Sequence, residues 1–191
     1  QPKGVEISQR ALARQQAVMV KNRELRETDR VVQETILTFD VAGNEIWGCL
    51  YAHATLVIVD DDTRLLAFEA FLLRHAVSVL FLTPSPLGLP TPAVCGPTLR
   101  MLVLAGEALP AALVDKWSAP HRTIYNEYGP TETNVVTTRL CSKNMSHATS
   151  IGRPLPGVTA QILDKHKQPT AIGVSGELCI IGEQLAIGYL N

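Results

Sequence analysis

Three apolar runs set the strongest limit on the fold: ATLVIV at residues 54–59, VSVLFL at 77–82 and LRMLVL at 99–104. Each is short and rich in β-branched or large aliphatic residues, so each reads as a strand. Their apolar residues scarcely alternate with polar ones, the pattern of strands covered on both faces. Helix-patterned stretches lie between and after them. Asp62 or Thr63 can cap a helix reaching about His75, with Leu65, Phe68 and Leu72 on one face, and Pro110 suits the first turn of another that ends at Trp117. Strand–helix–strand alternation of this kind specifies an α/β fold with a largely parallel sheet flanked by helices.

The flanking segments extend the pattern. Ser8 is a plausible N-cap, and Ala13, Ala17 and Val20 recur at helical spacing, which predicts a helix over residues 9–25. Thr35–Phe39 and Thr123–Tyr125 read as further short strands. Pro84, Pro86, Pro90, Pro92 and Pro97 argue against regular strand between them. Beyond residue 134 the texture changes: Val135–Leu140, Val158–Asp164 and Glu177–Ile181 are strand-like with no helix between them, and KHKQPTAIGVSG (165–176) supplies turn residues. The expectation is one core with two parts, an α/β part over 1–149 and a smaller, β-rich, barrel-like part over 150–191.

Composition narrows the function classes. A chain of 191 residues with 46% hydrophobic and 18% charged residues is long enough for a real core and has the make-up of a soluble globular protein. A net charge of −1 supplies no basic face for nucleic acid. No apolar stretch approaches the ~20 residues a membrane helix needs. Cys49, Cys95, Cys141 and Cys179 contain no CxxC pair, and His53, His75, His121, His147 and His166 are scattered, so neither set has zinc-site spacing. The thiols read as buried groups in a reducing, cytoplasmic setting. The start at Gln-Pro-Lys-Gly, without an initiator Met or signal-peptide pattern, reads as a cut inside a longer protein.

A parallel sheet gathers ligands at the carboxyl ends of its strands. Three loops fall there: FDVAGNEIW (39–47), AGEA (105–108) and NEYGPTET (126–133), which together offer Asp40, Glu107, Asn126, Thr131 and Glu132. Gly106 and Gly129 would let a ligand approach the backbone closely. Each feature has a plainer reading. Tyr128-Gly129-Pro130 alone is a turn, Asp40 could be a cap or a solvated loop acid, and Glu107 and Glu132 could complement helix dipoles.

Taken together and in order, QPKGVEISQRAL, FDVAGNEIW, LRMLVLAGEAL, NEYGPTET and IGRPLPGVTAQILD followed by GELCIIGEQLAIGYLN make the chain resemble adenylation domains of nonribosomal peptide synthetases, in the AMP-forming adenylate superfamily. The resemblance covers the whole chain. It implies a large N-terminal subdomain core and a ligase that converts an amino acid and Mg·ATP to aminoacyl-AMP, then loads a phosphopantetheine thiol on a carrier domain beside a condensation domain. It also implies residue roles. Asn126 would read the adenine edge, with Tyr128, Gly106 and Gly129 close to the base; Thr131 would bind phosphate oxygens; Glu132 would hold Mg²⁺. Lys3, in the PKG that ends the family's phosphate loop, would lie near the β- and γ-phosphates. The upstream Gly-rich part of that loop, the ribose-binding Asp and the C-terminal subdomain with its catalytic Lys fall outside these residues, so the isolated chain is expected to be inactive. Gln184 and Ile187 stand where a Gly and an Arg are more usual.

The resemblance also supplies an amino-acid pocket. Asp40 would pair with the substrate α-ammonium, which favours an α-amino acid over an aryl or fatty acid. Val41, Asn44, Phe81, Val103, Ala105, Glu127, Val135 and Val136 occupy the other lining positions. A buried carboxylate at Glu127 needs a partner, so the expected substrate bears donors, as an ornithine derivative of hydroxamate siderophore synthesis does. Glu127 as a rim carboxylate facing water is the plainer alternative. An acyl- or aryl-acid ligase, or a non-catalytic nucleotide- or carrier-binding remnant, are the competing functions.

Overall fold

The computed structural model describes residues 3–87, 95–145 and 150–190. Pro90, Pro92 and His147 lie outside them. The elements in chain order are β1 (Gly4–Glu6), α1 (Gln9–Arg23), β2 (Arg30–Gln33), α2 (Val41–Tyr51), β3 (Thr55–Ile58), α3 (Asp61–Leu66), α4 (Phe68–Arg74), β4 (Val79–Leu82), α5 (Pro84–Leu87), β5 (Met101–Ala105), α6 (Ala111–Trp117), β6 (Thr123–Tyr128), β7 (Thr137–Cys141), β8 (Arg153–Pro154), β9 (Val158–Leu163), β10 (Glu177–Gly182) and β11 (Gly188–Leu190). A seven-stranded sheet runs in the order β3-β2-β4-β5-β6-β7-β8. Its first five strands pair in parallel, and β7 and β8 add on antiparallel. The β9–β10 pair and the β1–β11 pair form two separate antiparallel sheets.

The parallel strands alternate between two cores because side chains one residue apart point to opposite faces. Val32, Leu80, Leu102, Leu104 and Ile124 join Leu72 of α4 and Val114 and Trp117 of α6 on one face. Val31, Val79, Phe81, Met101 and Val103 join Leu25 and Cys49 on the other, the face covered by α1 and α2. Asp29 locks the amino ends of this sheet. Its carboxylate accepts from Ser78 Oγ (2.8 Å), Arg100 Nε (2.8 Å) and the Arg26 amide (2.8 Å), tying the starts of β2, β4 and β5 together. The opposite, carboxyl ends carry the candidate loops.

Several expectations are corrected. The second strand is Arg30–Gln33, not Thr35–Phe39: Val31 and Val32 are fully buried, whereas Leu37 is 75% exposed. The predicted helix to His75 begins at Asp60, whose carboxylate accepts from the Thr63 amide (2.9 Å), and it breaks at Ala67 into α3 and α4, leaving Leu65 exposed while Leu72 is buried. The strand before the GPTET turn extends through Tyr128, so NEY is strand and only the following residues turn. The first helix is capped as read, Ser8 Oγ accepting from the Ala11 amide at 3.1 Å. It stops at Arg23, however, with Glu24 in the left-handed region, and buries Ala11, Gln15, Gln16, Met19 and Arg23 while Ala13 is exposed.

Candidate active site

The two ends of the chain build one corner of the site. β1 pairs with β11 in the register Gly4↔Leu190 and Val5↔Tyr189. This sets Lys3 against the Tyr189 ring, with Nζ 4.5 Å from its centroid. The Tyr189 hydroxyl donates to the Glu132 carboxylate, and the Ala186 amide donates to the Glu132 carbonyl at 2.8 Å. Hydrogen bonding from Tyr189, reinforced by the Lys3 charge, holds the Glu132 carboxyl below the ordinary range, so it is ionised at neutral pH. Lys3 and Glu132, far apart in sequence, are thus brought together through Tyr189. That tyrosine was missed in the sequence. Its only signal is an aromatic residue in the final GYLN.

Strand β6 divides its neighbours between two faces. Asn126 lies level with Leu104 and Arg139 and donates from Nδ2 to the Ser150 carbonyl at 3.0 Å. Glu127, one residue on, faces α1 instead. Tyr128 is 39% exposed, and its carbonyl accepts from the Val136 amide at 2.8 Å. Thr131 stands exposed in the turn beyond it.

The two candidate glycines part company. A Cβ on Gly129 would lie 1.6 Å from the Asn134 carbonyl oxygen, so this residue is glycine because the chain returns against it. That close return accounts for the glycine without a ligand. Gly129→Ala is expected to cost about 1–3 kcal/mol of stability, measured by chemical denaturation. Gly106 adopts φ +85° at the exposed end of β5, and a Cβ there would make only ordinary contacts with Thr83 and Phe39. Its requirement is conformational, and its backbone does face open space.

The proposed amino-acid pocket lies on the α1/α2 face. Asp40 occupies the N-cap position of α2 but makes no capping hydrogen bond, so of its plainer readings the solvated loop acid stands and the cap does not. Phe81 lies beside Val103, and Ala105 beside Glu127, in the ladder register, with Val41 packed against the same cluster. Val135 packs with Met19 and Leu155, and Val136 is fully buried. Asn44 Nδ2 donates to Asn134 Oδ1 (3.1 Å), while its Oδ1 accepts from Gln16 Nε2 (3.3 Å). Glu107 lies apart from this group, accepting from the Ser85 amide (3.0 Å) and hydroxyl (2.5 Å).

Glu127 does find a donor, but inside the chain. Arg23 forks onto it, Nε to Oε1 at 2.9 Å and Nη2 to Oε2 at 2.6 Å, with both side chains only 1% exposed. The inference of a donor-bearing, ornithine-like substrate rested on Asn44 and Glu127 as polar groups among aliphatic ones, and the partners both find inside the chain remove that premise. Rim exposure is excluded by the same burial.

A second buried acid adjoins the pocket. Glu45, next to Asn44 on α2, is fully buried and accepts from the Thr35 hydroxyl (2.7 Å), the Thr35 amide (3.3 Å) and Gln33 Nε2 (3.5 Å). It anchors the 34–40 loop that presents Asp40. Burial pushes its carboxyl up to about 7, against the opposing pull of the Thr35 hydrogen bond.

Residues 1–190 match the AMP-binding enzyme family model. The chain belongs to this family. It is 40% identical to novobiocin biosynthesis protein H of Streptomyces niveus over all of its own length and 32% of that protein. It is 37% identical to tyrocidine synthase 3 of Brevibacillus parabrevis, again over its whole length but only 3% of the synthase. The chain therefore spans a minor part of these relatives. Among solved structures, it superposes on the N-terminal subdomain of Klebsiella oxytoca NpsA bound to 3-hydroxyanthranilyl-AMSN with a TM-score of 0.82 at 27% identity, covering 51% of that chain. The Vibrio cholerae adenylation domain AlmE, in complex with glycyl-adenosine-5'-phosphate, gives 0.87 at 28% identity over 39% of its length. The α/β fold with a large, mostly parallel sheet is that of adenylation-domain N-terminal subdomains. No helix among the described residues is long and apolar enough to cross a membrane.

Proposed function

We propose that this chain is the ATP- and amino-acid-binding part of an amino-acid adenylation domain in a longer synthetase. In the reaction, a substrate carboxylate oxygen attacks the α-phosphorus of ATP, the bond to the bridging oxygen breaks, and pyrophosphate leaves. The carrying observation is the corner formed by Lys3, Tyr189 and Glu132 beside the 126–131 strand and turn. It supports a cationic and a carboxylate group set at the triphosphate, with Asn126 and Gly106 near the base and Thr131 at the phosphates.

Glu132 suits Mg²⁺: it is ionised and partly exposed, and such ions commonly bind through one or two carboxylates plus substrate phosphates. Among the described residues no cluster of three His, Cys, Asp or Glu side chains could hold a metal, so phosphate oxygens would complete the shell. The ion would supply charge stabilisation as the phosphoryl oxygens redistribute charge. Lys3 would contribute on the pyrophosphate side, and Tyr189 would fix the Glu132 rotamer. Asp40, free of capping, would orient the amino acid through its α-ammonium. The acyl-adenylate would then pass to a phosphopantetheine thiol of a carrier domain.

The matched NpsA structures hold 3-hydroxyanthranilyl and 3-hydroxybenzoyl analogues, which favours an aryl acid as the second reading. Asp40 weighs against it. The test is acid-dependent ATP–pyrophosphate exchange by the full-length polypeptide carrying this chain. Amino-acid-dependent exchange is expected, falling about 10²-fold or more in Glu132→Gln, in the range seen when one transition-state charge contact is removed. Exchange with aryl acids alone would select the second reading.

A further inference from the structure

Helix α1 lies outside the set of positions expected to line the amino-acid pocket, yet its inner face engages that pocket at several points. Gln16 and Arg23 are separated by about two turns and share that face. Gln16 Nε2 donates to Asn44, and neighbouring Gln15 Nε2 donates to the Val135 carbonyl at 3.2 Å. Arg23 forks onto Glu127 and sets its guanidinium carbon 4.8 Å from the Phe81 ring centroid. Gly48 of α2 permits the close approach, since a Cβ there would lie 3.1 Å from Gln16 Oε1.

These contacts occupy both oxygens of Glu127 and both polar atoms of Asn44. Two buried groups on this face are left without a hydrogen-bond partner, the acceptor Gln16 Oε1 next to Gly48 and, beside Glu127, Arg23 Nη1. Arg23 Nη1 carries N–H donors only, because guanidinium has no acceptor. A buried donor without a partner is destabilising, and a ligand oxygen would relieve it. Charge narrows the ligand further. Arg23 and Glu127 neutralise each other, and the substrate α-ammonium would neutralise Asp40. A charged side chain of either sign would then find no free counter-ion among Arg23, Glu127 and Asp40 in a desolvated site.

We infer that Arg23 is a specificity-determining residue of this pocket and that the substrate is an amino acid with a neutral side chain bearing an oxygen acceptor, a carboxamide or a hydroxyl. The inference rests on the amino-acid adenylation reading above. Arg23 Nη1 donates to that oxygen, Glu127 fixes the guanidinium plane, and Phe81 supports its face.

The experiment is pyrophosphate exchange by the full-length polypeptide with four groups of amino acids: carboxamide and hydroxyl, aliphatic, cationic, and acidic. The wild type is expected to favour the carboxamide and hydroxyl group in kcat/KM by about tenfold or more, since a site built to hydrogen-bond a group rejects analogues lacking it. Arg23→Met combined with Glu127→Met removes both charges at once. It is expected to collapse that preference to within about threefold of the aliphatic set while leaving KM for ATP unchanged. Wild-type preference for aliphatic, cationic or acidic substrates overturns the inference and leaves amino-acid adenylation standing. So does a preference that survives in the double variant. Exchange with aryl acids alone overturns both. The wild-type panel decides the matter even where the double variant fails to fold.

Discussion

Arg23→Ala is expected to destabilise the fold by about 3–5 kcal/mol, the usual consequence of stripping one partner from a buried ion pair. In a chain of this size that corresponds to a melting temperature lower by roughly 6–20 °C. The reason lies with the residue left behind. Glu127 is 2% exposed and receives its side-chain donors from Arg23, so truncation strands a carboxylate in the interior. Glu127→Ala should be comparably damaging, because it strands the guanidinium. Removing both charges with residues of similar volume should recover most of the loss, since an apolar replacement avoids the desolvation of two ions. Chemical denaturation of the three variants is the measurement. A double loss equal to the sum of the two single losses would mean that the two side chains are not coupled.

The second large effect is a pH dependence centred on Glu45. Its carboxyl stands at about 7 in the fold against 4.5 ordinarily, chiefly because burial disfavours the charged form. Between those values the unfolded chain has released the proton and the folded chain still holds it. Stability is therefore fully present below about 4.5 and falls as pH rises to about 7, by ~3 kcal/mol from this group alone. Glu34, also raised by burial, acts in the same direction. Glu45→Gln keeps a neutral hydrogen-bonding group and should remove the Glu45 part of this decline. The difference in unfolding free energy between wild type and Glu45→Gln, followed from pH 4 to 8, tests it. A difference that does not vary with pH would rule out Glu45 as the titrating group. Because Glu45 anchors the loop carrying Asp40, the same variant reports whether that loop needs the anchor, through KM for the amino acid.

Much of the fold was legible because burial on both faces leaves a strong mark. VSVLFL and LRMLVL hold the buried strands β4 and most of β5, whereas ATLVIV holds the edge strand β3, whose Ile58 is 71% exposed. Ser8 caps the helix it was expected to cap. Misreadings occurred where local pattern and tertiary environment conflict. Ile36 and Leu37 look like strand residues but are exposed, since the sheet register is set by Val31 and Val32. Leu65 fits a helical face that the break at Ala67 turns away from the core.

The candidate site divides in the same way. The residues of NEYGPTET could be named from sequence because their order and neighbours are informative together. Tyr189, Glu45 and Arg23 could not be, because each acts through a partner distant in sequence: Glu132, Thr35 and Glu127.

By itself, then, the sequence determined the strand–helix alternation, the family and the loops at the carboxyl ends of the strands, since periodicity and motif order are local properties of the chain. Tertiary structure alone decided what the polar groups face. It assigned Gly129 to the close return of Asn134, freed Asp40 from helix capping and joined Glu127 to Arg23. A buried charge takes its meaning from its partner, and the partner is chosen by packing, which no stretch of sequence specifies on its own.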